Sequence, residues 1–542
     1  MRRFVHKLFL VVCPILPFAA TIHVAQALPI KRIFPACAGL AAKALPQTQI
    51  LSAQLVPPGQ LSISGVTDAT FASLPEFCRV VVEATPSSDS DIAIEVWMPL
   101  NGWNGRFLGT GNGGFGGALA YGDMANALLY GYATAGTDAG HSSGAETNAA
   151  WALGHPEKII DFGYRAVHEM TTTALALIEA FYDKAPAHKY FASCSDGCRE
   201  ALMEAQRYPL DYNGILAGDP ANNWTGLLAN GAVDLLALTS KPTTYVSAAK
   251  LPAITAAVLA QCNQGVETGY LNNPPDCKFN PQTMLCKGAE TESCLTQPEI
   301  ATLQQIYSGT KTSSGTLVFP GLTPGSEAAG GSSGWAGWIT GSAPAISGMA
   351  EYVESYYADM VYSDADWAYK DFNLTEGLAE SLSTTGNAVN AVNANLTAFH
   401  AANGKLILYH GWNDAAISPL STIGYYNSVV TALGHGVANQ TLQLFMVPGM
   451  DHCEGGPGPT GFGNGGPGPD TPAYDEHHSI YKALEAWVED GVTPQQIQTG
   501  GTTEYNGQTL DISRPLCAYP LIATYSGTGS QNLAANYTCA TP

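Results

Sequence analysis

Ser195 follows Cys194, and His452 precedes Cys453, so a possible nucleophile and a possible general base, 257 positions apart, each stand beside a cysteine. A serine hydroxyl becomes nucleophilic when an imidazole lies within hydrogen-bond reach, about 2.6–3.2 Å, to take its proton. Such a meeting also draws the neighbouring backbones together. A disulfide needs Cα atoms only about 4.4–6.8 Å apart, so a Cys194–Cys453 bridge could join the nucleophile's loop to the base's loop. The imidazole in turn needs a carboxylate to orient it. Asp414 ends the run Lys405-Leu406-Ile407-Leu408-Tyr409-His410-Gly411-Trp412-Asn413-Asp414, at the carboxyl end of an apolar strand, where open α/β sheets build their sites. Asp451 is the rival carboxylate, although a residue adjacent to His452 is poorly placed to accept from its Nδ1.

These residues need particular elements to hold them. Lys189 to Ser193 reads as a short apolar strand, and Arg199 to Arg207 as a helix stopping before Pro209. Between them, Ser193-Cys194-Ser195-Asp196-Gly197 has the form of a nucleophile elbow, with Ser193 where the common Gly-x-Ser-x-Gly pattern has glycine. A helix-start serine is an equal reading of the elbow alone; the His452-Cys453 pair tips the balance to a nucleophile. An oxyanion intermediate needs two backbone donors. One is the amide of Asp196, at a helix N-terminus, and the other comes from Gly113 or Gly114, in the glycine-rich loop 109–117 that follows the strand 106–108. A tight turn is that loop's alternative reading. The chain order Ser195, Asp414, His452 is that of α/β-hydrolases, which sets the expected fold class: an α/β-hydrolase core with a large inserted, disulfide-stapled lid.

The chain resembles the tannase and feruloyl esterase family, whose hallmark is a disulfide joining the cysteine before the nucleophile to the cysteine after the catalytic histidine. The resemblance extends over nearly the whole chain, through Gly109-Thr110-Gly111-Asn112-Gly113-Gly114, Thr137-Asp138-Ala139-Gly140-His141, Asp161-Phe162-Gly163-Tyr164-Arg165-Ala166-Val167-His168, Gly218-Asp219-Pro220-Ala221, His452-Cys453-Glu454-Gly455-Gly456-Pro457-Gly458-Pro459 and Trp487-Val488-Glu489-Asp490-Gly491. It implies a secreted carboxylic ester hydrolase acting on esters of aromatic acids, feruloyl esterase-like, with tannase as the alternative. It also implies the pairs Cys37–Cys78, Cys194–Cys453, Cys262–Cys277, Cys286–Cys294 and Cys517–Cys539, which leave Cys198 unpaired. Cys194–Cys198 and Cys198–Cys453 remain competing bridges. The family's terephthalate monoester hydrolase holds its substrate's carboxylate with a lid arginine. No arginine stands between Arg207 and Arg514 here, which disfavours that substrate. A family calcium site matches Cys262 to Tyr270, but glutamine and threonine replace two expected aspartates. Calcium there is doubtful, and no cofactor is expected for the chemistry.

Composition agrees. Arg2, Arg3 and Lys7 precede an apolar run from Leu8 to about Ala20, and Ala25-Gln26-Ala27 resembles a cleavage site, so 1–27 is read as a signal peptide. No later run is read as long enough to span a bilayer. The formal charge of −22 becomes about −25 without that leader, which argues against nucleic-acid and anionic-membrane partners. The histidines show no HExxH or CxxC spacing, so metal is not expected in catalysis. The expected divisions are core 28–222, lid 223–403, entered after Trp224 and left near Gly404, and core 404–542. Trp335, Trp338, His410 and Ile417 are the candidate pocket residues, although each lid aromatic reads more readily as core and a satisfied structural histidine is an equal reading of His410. A different class remains in view: a phenolic- or carbohydrate-binding protein on a decayed hydrolase scaffold.

Overall fold

A computed structural model describes residues 34–262, 269–466, 473–505 and 507–542. The expected signal peptide, 1–27, and positions 263–268 of the stretch compared with the calcium site lie outside the described residues. Strands β1 (Thr48–Val56), β2 (Phe77–Ala84), β3 (Ile92–Pro99), β4 (Arg106–Thr110), β5 (Ala133–Thr137), β6 (His188–Cys194), β7 (Gly214–Gly218), β8 (Lys405–Gly411) and β9 (Leu442–Val447) form one sheet. Their order is β1-β2-β3-β5-β4-β6-β7-β8-β9. β1, β2, β3 and β5 pair antiparallel, and from β5 to β9 every pairing is parallel. This is an α/β-hydrolase core, the expected fold class.

Side-chain alternation splits the parallel strands between two apolar layers. In β8, Leu406 and Leu408 face the layer formed by helices α1 (Ala166–Tyr182) and α2 (Asp196–Arg207), while Ile407 and Tyr409 face the other. β5, β7 and β8 are buried along their whole lengths, as parallel strands covered on both faces must be.

Between β7 and β8 the chain leaves the sheet and builds a cover. Helix α3 (Trp224–Thr239) starts it, capped by Asn223. Helix α4 (Gln297–Ser308) opens with a Thr296/Glu299 capping box, and helix α5 (Gly348–Ser355) runs into a wider π-helical turn at Tyr356–Tyr362. The cover has apolar cores of its own, one of them around Ile254, Leu303 and Trp335. Ala391, Leu396 and Phe399, late in the insertion, pack instead into the layer of α1 and α2.

Beyond the cover, α6 (Pro419–Leu433) joins the α1 and α2 layer, and α7 (Ile480–Glu489) packs Ile480, Leu484 and Trp487 on the opposite face. The chain closes with the antiparallel ribbon β10 (Gln496–Tyr505) and β11 (Gln508–Cys517), and then β12 (Ile522–Tyr525) with β13 (Tyr537–Ala540).

Five disulfides form, Cys37–Cys78, Cys194–Cys453, Cys262–Cys277, Cys286–Cys294 and Cys517–Cys539, and Cys198 is a buried free thiol. One expectation needs correcting. The run Pro242–Cys262 is long and apolar enough to span a membrane by length and composition. The structure divides it into two short 3-10 turns and a 12-residue helix, Leu251–Cys262, which packs Leu251, Ile254 and Val258 into the cover and is tied down by Cys262–Cys277.

Trp487 is the largest side chain that α7 buries under the sheet. Trp487→Ala is expected to cost about 3–5 kcal/mol of stability, read as a lower urea midpoint with an unchanged slope.

Candidate active site

The end of β6 and the start of α2 leave one residue for the turn between them. Ser195 takes φ +63° and ψ −123°, a conformation that non-glycine residues rarely adopt and that stores strain at functional sites. Room for the turn comes from glycines on either side. A Cβ on Gly197 would run into the Ser193 hydroxyl, and one on Gly111 would strike the Gly197 backbone. Ser193 is therefore accommodated at the motif's usual glycine because Gly197 and Gly111 withdraw above it. The Ser195 amide donates to Gly218 O at 2.9 Å, fastening the turn to the end of β7.

The described residues bring Ser195, His452 and Asp414 together. His452 Nε2 lies 2.9 Å from Ser195 Oγ, and its Nδ1 lies 2.7 Å from Asp414 Oδ2. The other Asp414 oxygen accepts the amides of Ala416 at 2.7 Å and Ile417 at 2.9 Å. Asp451 makes no contact with the imidazole of this kind; its carboxylate faces Gly330 of the cover. The Cys194–Cys453 bond, with Cα atoms 5.8 Å apart, ties the two loops. Neither bridge through Cys198 forms. That thiol donates to Ser193 O at 2.7 Å, and burial pushes its pKa well up.

Burial would lower the His452 pKa, but the Asp414 carboxylate, helped by Asp219, outweighs it and leaves the imidazole raised. For Asp414 burial works the other way, and the two imidazoles of His452 and His410 hold its carboxyl well below the usual range. The result is an ionised carboxylate beside a base with an increased proton affinity.

A narrow cavity opens on Ser195 and His452. Its walls are Trp224, Leu227 and Leu228 from α3, Trp338 and Tyr352 from the later cover, and Ile417. The Trp338 ring stands edge-on to the His452 ring at 5.6 Å. Gly114 and Asp196 border this cavity. Asp196 opens α2, so its N–H is one of the amides that a helix start leaves without an intrahelical partner. Gly114 has φ +56° and leaves space filled by the Tyr352 hydroxyl and Glu146, so no larger residue fits. The glycine loop is bolted to α2 by two bonds: Asn112 N donates to Glu200 Oε2 at 3.0 Å, and Gly197 N donates to Asn112 O at 2.7 Å.

Three candidates fall elsewhere. Gly113 does not border the cavity and lies against Glu146. His410 is fully buried behind Asp414, because its position in β8 turns it into the protein interior. Trp335 is buried in the cover's own core, where its indole N–H donates to Ser326 Oγ at 3.2 Å. The sequence reading missed Trp224, Leu227, Leu228 and Tyr352. Trp224 had a usable signal, since it follows the carboxyl end of β7 within a few residues, and Tyr352 stood among the dense aromatics of the later lid; Leu227 and Leu228 had none.

A family profile described as tannase and feruloyl esterase matches residues 78–540. The chain is similar to a protein of Xanthomonas campestris pv. campestris named "Uncharacterized esterase", with 39% identity over 93% of this chain and 91% of the relative. It is 32% identical to "Probable feruloyl esterase B-1" of Aspergillus fumigatus, over 90% of this chain and 91% of that one. Among solved structures, the crystal structure of feruloyl esterase B from Aspergillus oryzae superposes with a TM-score of 0.84 at 29% identity, covering 94% of this chain and all of its own.

The glycine geometry of the elbow has a measurable consequence. Gly197→Ala should lower thermal stability by about 1–3 kcal/mol through overpacking against Ser193, and adding Ser193→Gly to the same chain should recover part of that loss. Strict additivity in this double-mutant cycle would show that the two residues do not share the space.

Proposed function

The chain belongs to the tannase and feruloyl esterase family, and on that premise we propose that it hydrolyses esters of phenolic acids, feruloyl esters first, through an acyl-enzyme on Ser195. Ser195 Oγ attacks the ester carbonyl while His452 Nε2 takes its proton, and the amides of Asp196 and Gly114 receive the negative oxygen. His452 then returns the proton to the departing alcohol. Water, deprotonated by the same imidazole, attacks the acyl-enzyme and releases the acid and the Ser195 hydroxyl. Asp414 keeps His452 in the tautomer that leaves Nε2 free to accept. Only protein groups and water enter these steps.

The observation that carries this reading is the cavity itself: a slot between aromatic and aliphatic side chains that opens directly on Ser195. A flat apolar acyl group suits such walls. The lining offers no cation apart from His452, which weighs against a terephthalate monoester with its free carboxylate. Galloyl esters need the same chemistry but carry three ring hydroxyls, and beside the reacting groups the walls supply few polar groups, the Tyr352 hydroxyl and the indole N–H groups of Trp224 and Trp338, with no acceptor side chain besides Tyr352. The contacts among Ser195, His452 and Asp414 are intact, which favours an enzyme over a decayed binding protein. The five disulfides favour an oxidising compartment outside the cytoplasm, in keeping with a leader at 1–27.

Methyl ferulate and methyl gallate, assayed side by side, test the substrate. Ferulate should turn over faster, and Ser195→Ala should lower kcat by about 10⁴-fold or more. Undiminished turnover in that variant would overturn the mechanism, and a preference for gallate would overturn the acyl assignment. Because His452 must be neutral to act and the Asp414 carboxylate holds its pKa above that of an ordinary histidine, kcat/KM should climb with pH through an acid limb lying above the range in which an unperturbed imidazole titrates.

A further inference from the structure

Behind Asp414 lies a second carboxylate and imidazole that the steps above do not use. His410 is completely buried. Its Nε2 is 3.1 Å from Asp414 Oδ2, 3.1 Å from Ile417 O and 3.5 Å from Asp219 Oδ1, and its Nδ1 is 2.7 Å from Thr422 Oγ1. Asp219, directly after β7, is also completely buried and has φ +47°. One of its oxygens accepts the Gly411 amide at 2.9 Å. The other lies 3.6 Å from Cys194 Sγ, a disulfide sulfur with no proton to give. A buried carboxylate on a strained residue, with one backbone donor and one imidazole for partners, costs stability that packing alone does not require.

We propose that Asp219 and His410 are positioning residues for the Ser195 reaction, a second carboxylate–imidazole pair that locks Asp414 in place and sets how readily His452 takes a proton. This rests on the reading of Ser195 as nucleophile. Asp414 receives two amides on Oδ1 and His452 Nδ1 on Oδ2, and His410 Nε2, whose one hydrogen it shares with Ile417 O, closes on Oδ2 at 3.1 Å, so that both carboxylate oxygens are held against rotation. Burial raises the Asp219 carboxyl and the His410 imidazole pulls against that rise; in its ionised form the Asp219 charge adds to that of Asp414 in favouring the His452 imidazolium, in a fixed, water-poor setting that needs no rearrangement as the proton moves.

Other ionisable groups facing this cluster are few. Asp451, on the His452 loop, is pushed up to about 7 by burial and then by Asp414. Asp196, on α2, is ion-paired with Arg199. Cys198 and Tyr409, against Asp219, have pKa values raised well above their usual ranges by burial, so both stay neutral.

The test compares pH profiles of kcat/KM for methyl ferulate, all in an Asp451→Asn background that removes the other carboxylate titrating nearby. In Asp219→Asn the amide oxygen can still accept from Gly411, so a purely structural role would leave the profile unchanged. The positioning role predicts an acid limb displaced by about half a unit or more, because the variant removes the Asp219 charge and with it the chief support of the His410 imidazolium, together with a kcat about tenfold lower and an unchanged KM, since neither residue borders the cavity. Superimposed profiles would overturn it. If Asp219→Asn does not fold, Thr422→Val removes the partner of His410 Nδ1 and disfavours its imidazolium; the limb should then move to higher pH, and an unmoved limb would again overturn the proposal. Ser195→Ala separates the two levels. Full activity in that variant removes the nucleophile reading, whereas an inactive Ser195→Ala with superimposed Asp219→Asn profiles removes only the role of Asp219 and His410.

Discussion

The Cys194–Cys453 bond sets the condition on which the rest of the site depends. It joins the end of β6 to the loop after β9, two positions separated in the sheet by β7 and β8. A proton transfer between Ser195 and His452 tolerates errors well under 1 Å. The sheet fixes where its strands end, but it does not fix loops several residues beyond them. A covalent tie one residue from each partner does so. It also encloses the whole inserted cover within the loop it closes, so that α3, α4 and the irregular segments between them can vary without changing the spacing of base and nucleophile.

Around that tie the elbow is held by close approach and by buried charge. Ser193, Gly197 and Gly111 share one small volume, which lets β6 turn sharply into α2. Asp196 and Arg199 form a fully buried ion pair at the start of α2, and the guanidinium also donates to Phe162 O and Gly163 O and lies over the Phe162 ring at 4.3 Å. A buried pair of this kind is weak evidence for stability and better evidence for a fixed geometry. Here it anchors the helix start whose first amide faces the cavity.

Much of this was legible in the sequence because the chemistry is local. An elbow, a strand ending in Gly-Trp-Asn-Asp and a His-Cys dipeptide each carry their own spacing, and chain order alone suggested the fold class. The cavity walls were not legible, since they depend on which face of a cover helix turns inward. Trp335 and Trp338 stand on one short helix, yet one enters the cover's core and the other the cavity. Gly113 and Gly114 are neighbours, and only the second borders the site. His410 was misplaced for a similar reason: being near a strand's carboxyl end says that a residue is close to the site, but the alternation of β8 decides whether it faces substrate or interior.

The central claim, that Ser195 is the activated nucleophile, is tested most directly by intact-mass and peptide mass spectrometry after treatment with a fluorophosphonate. A single phosphonyl group on the peptide carrying Ser195, absent when the disulfide-intact protein is first unfolded, is the expected result. No adduct on the folded protein, or an adduct on another residue, would contradict it.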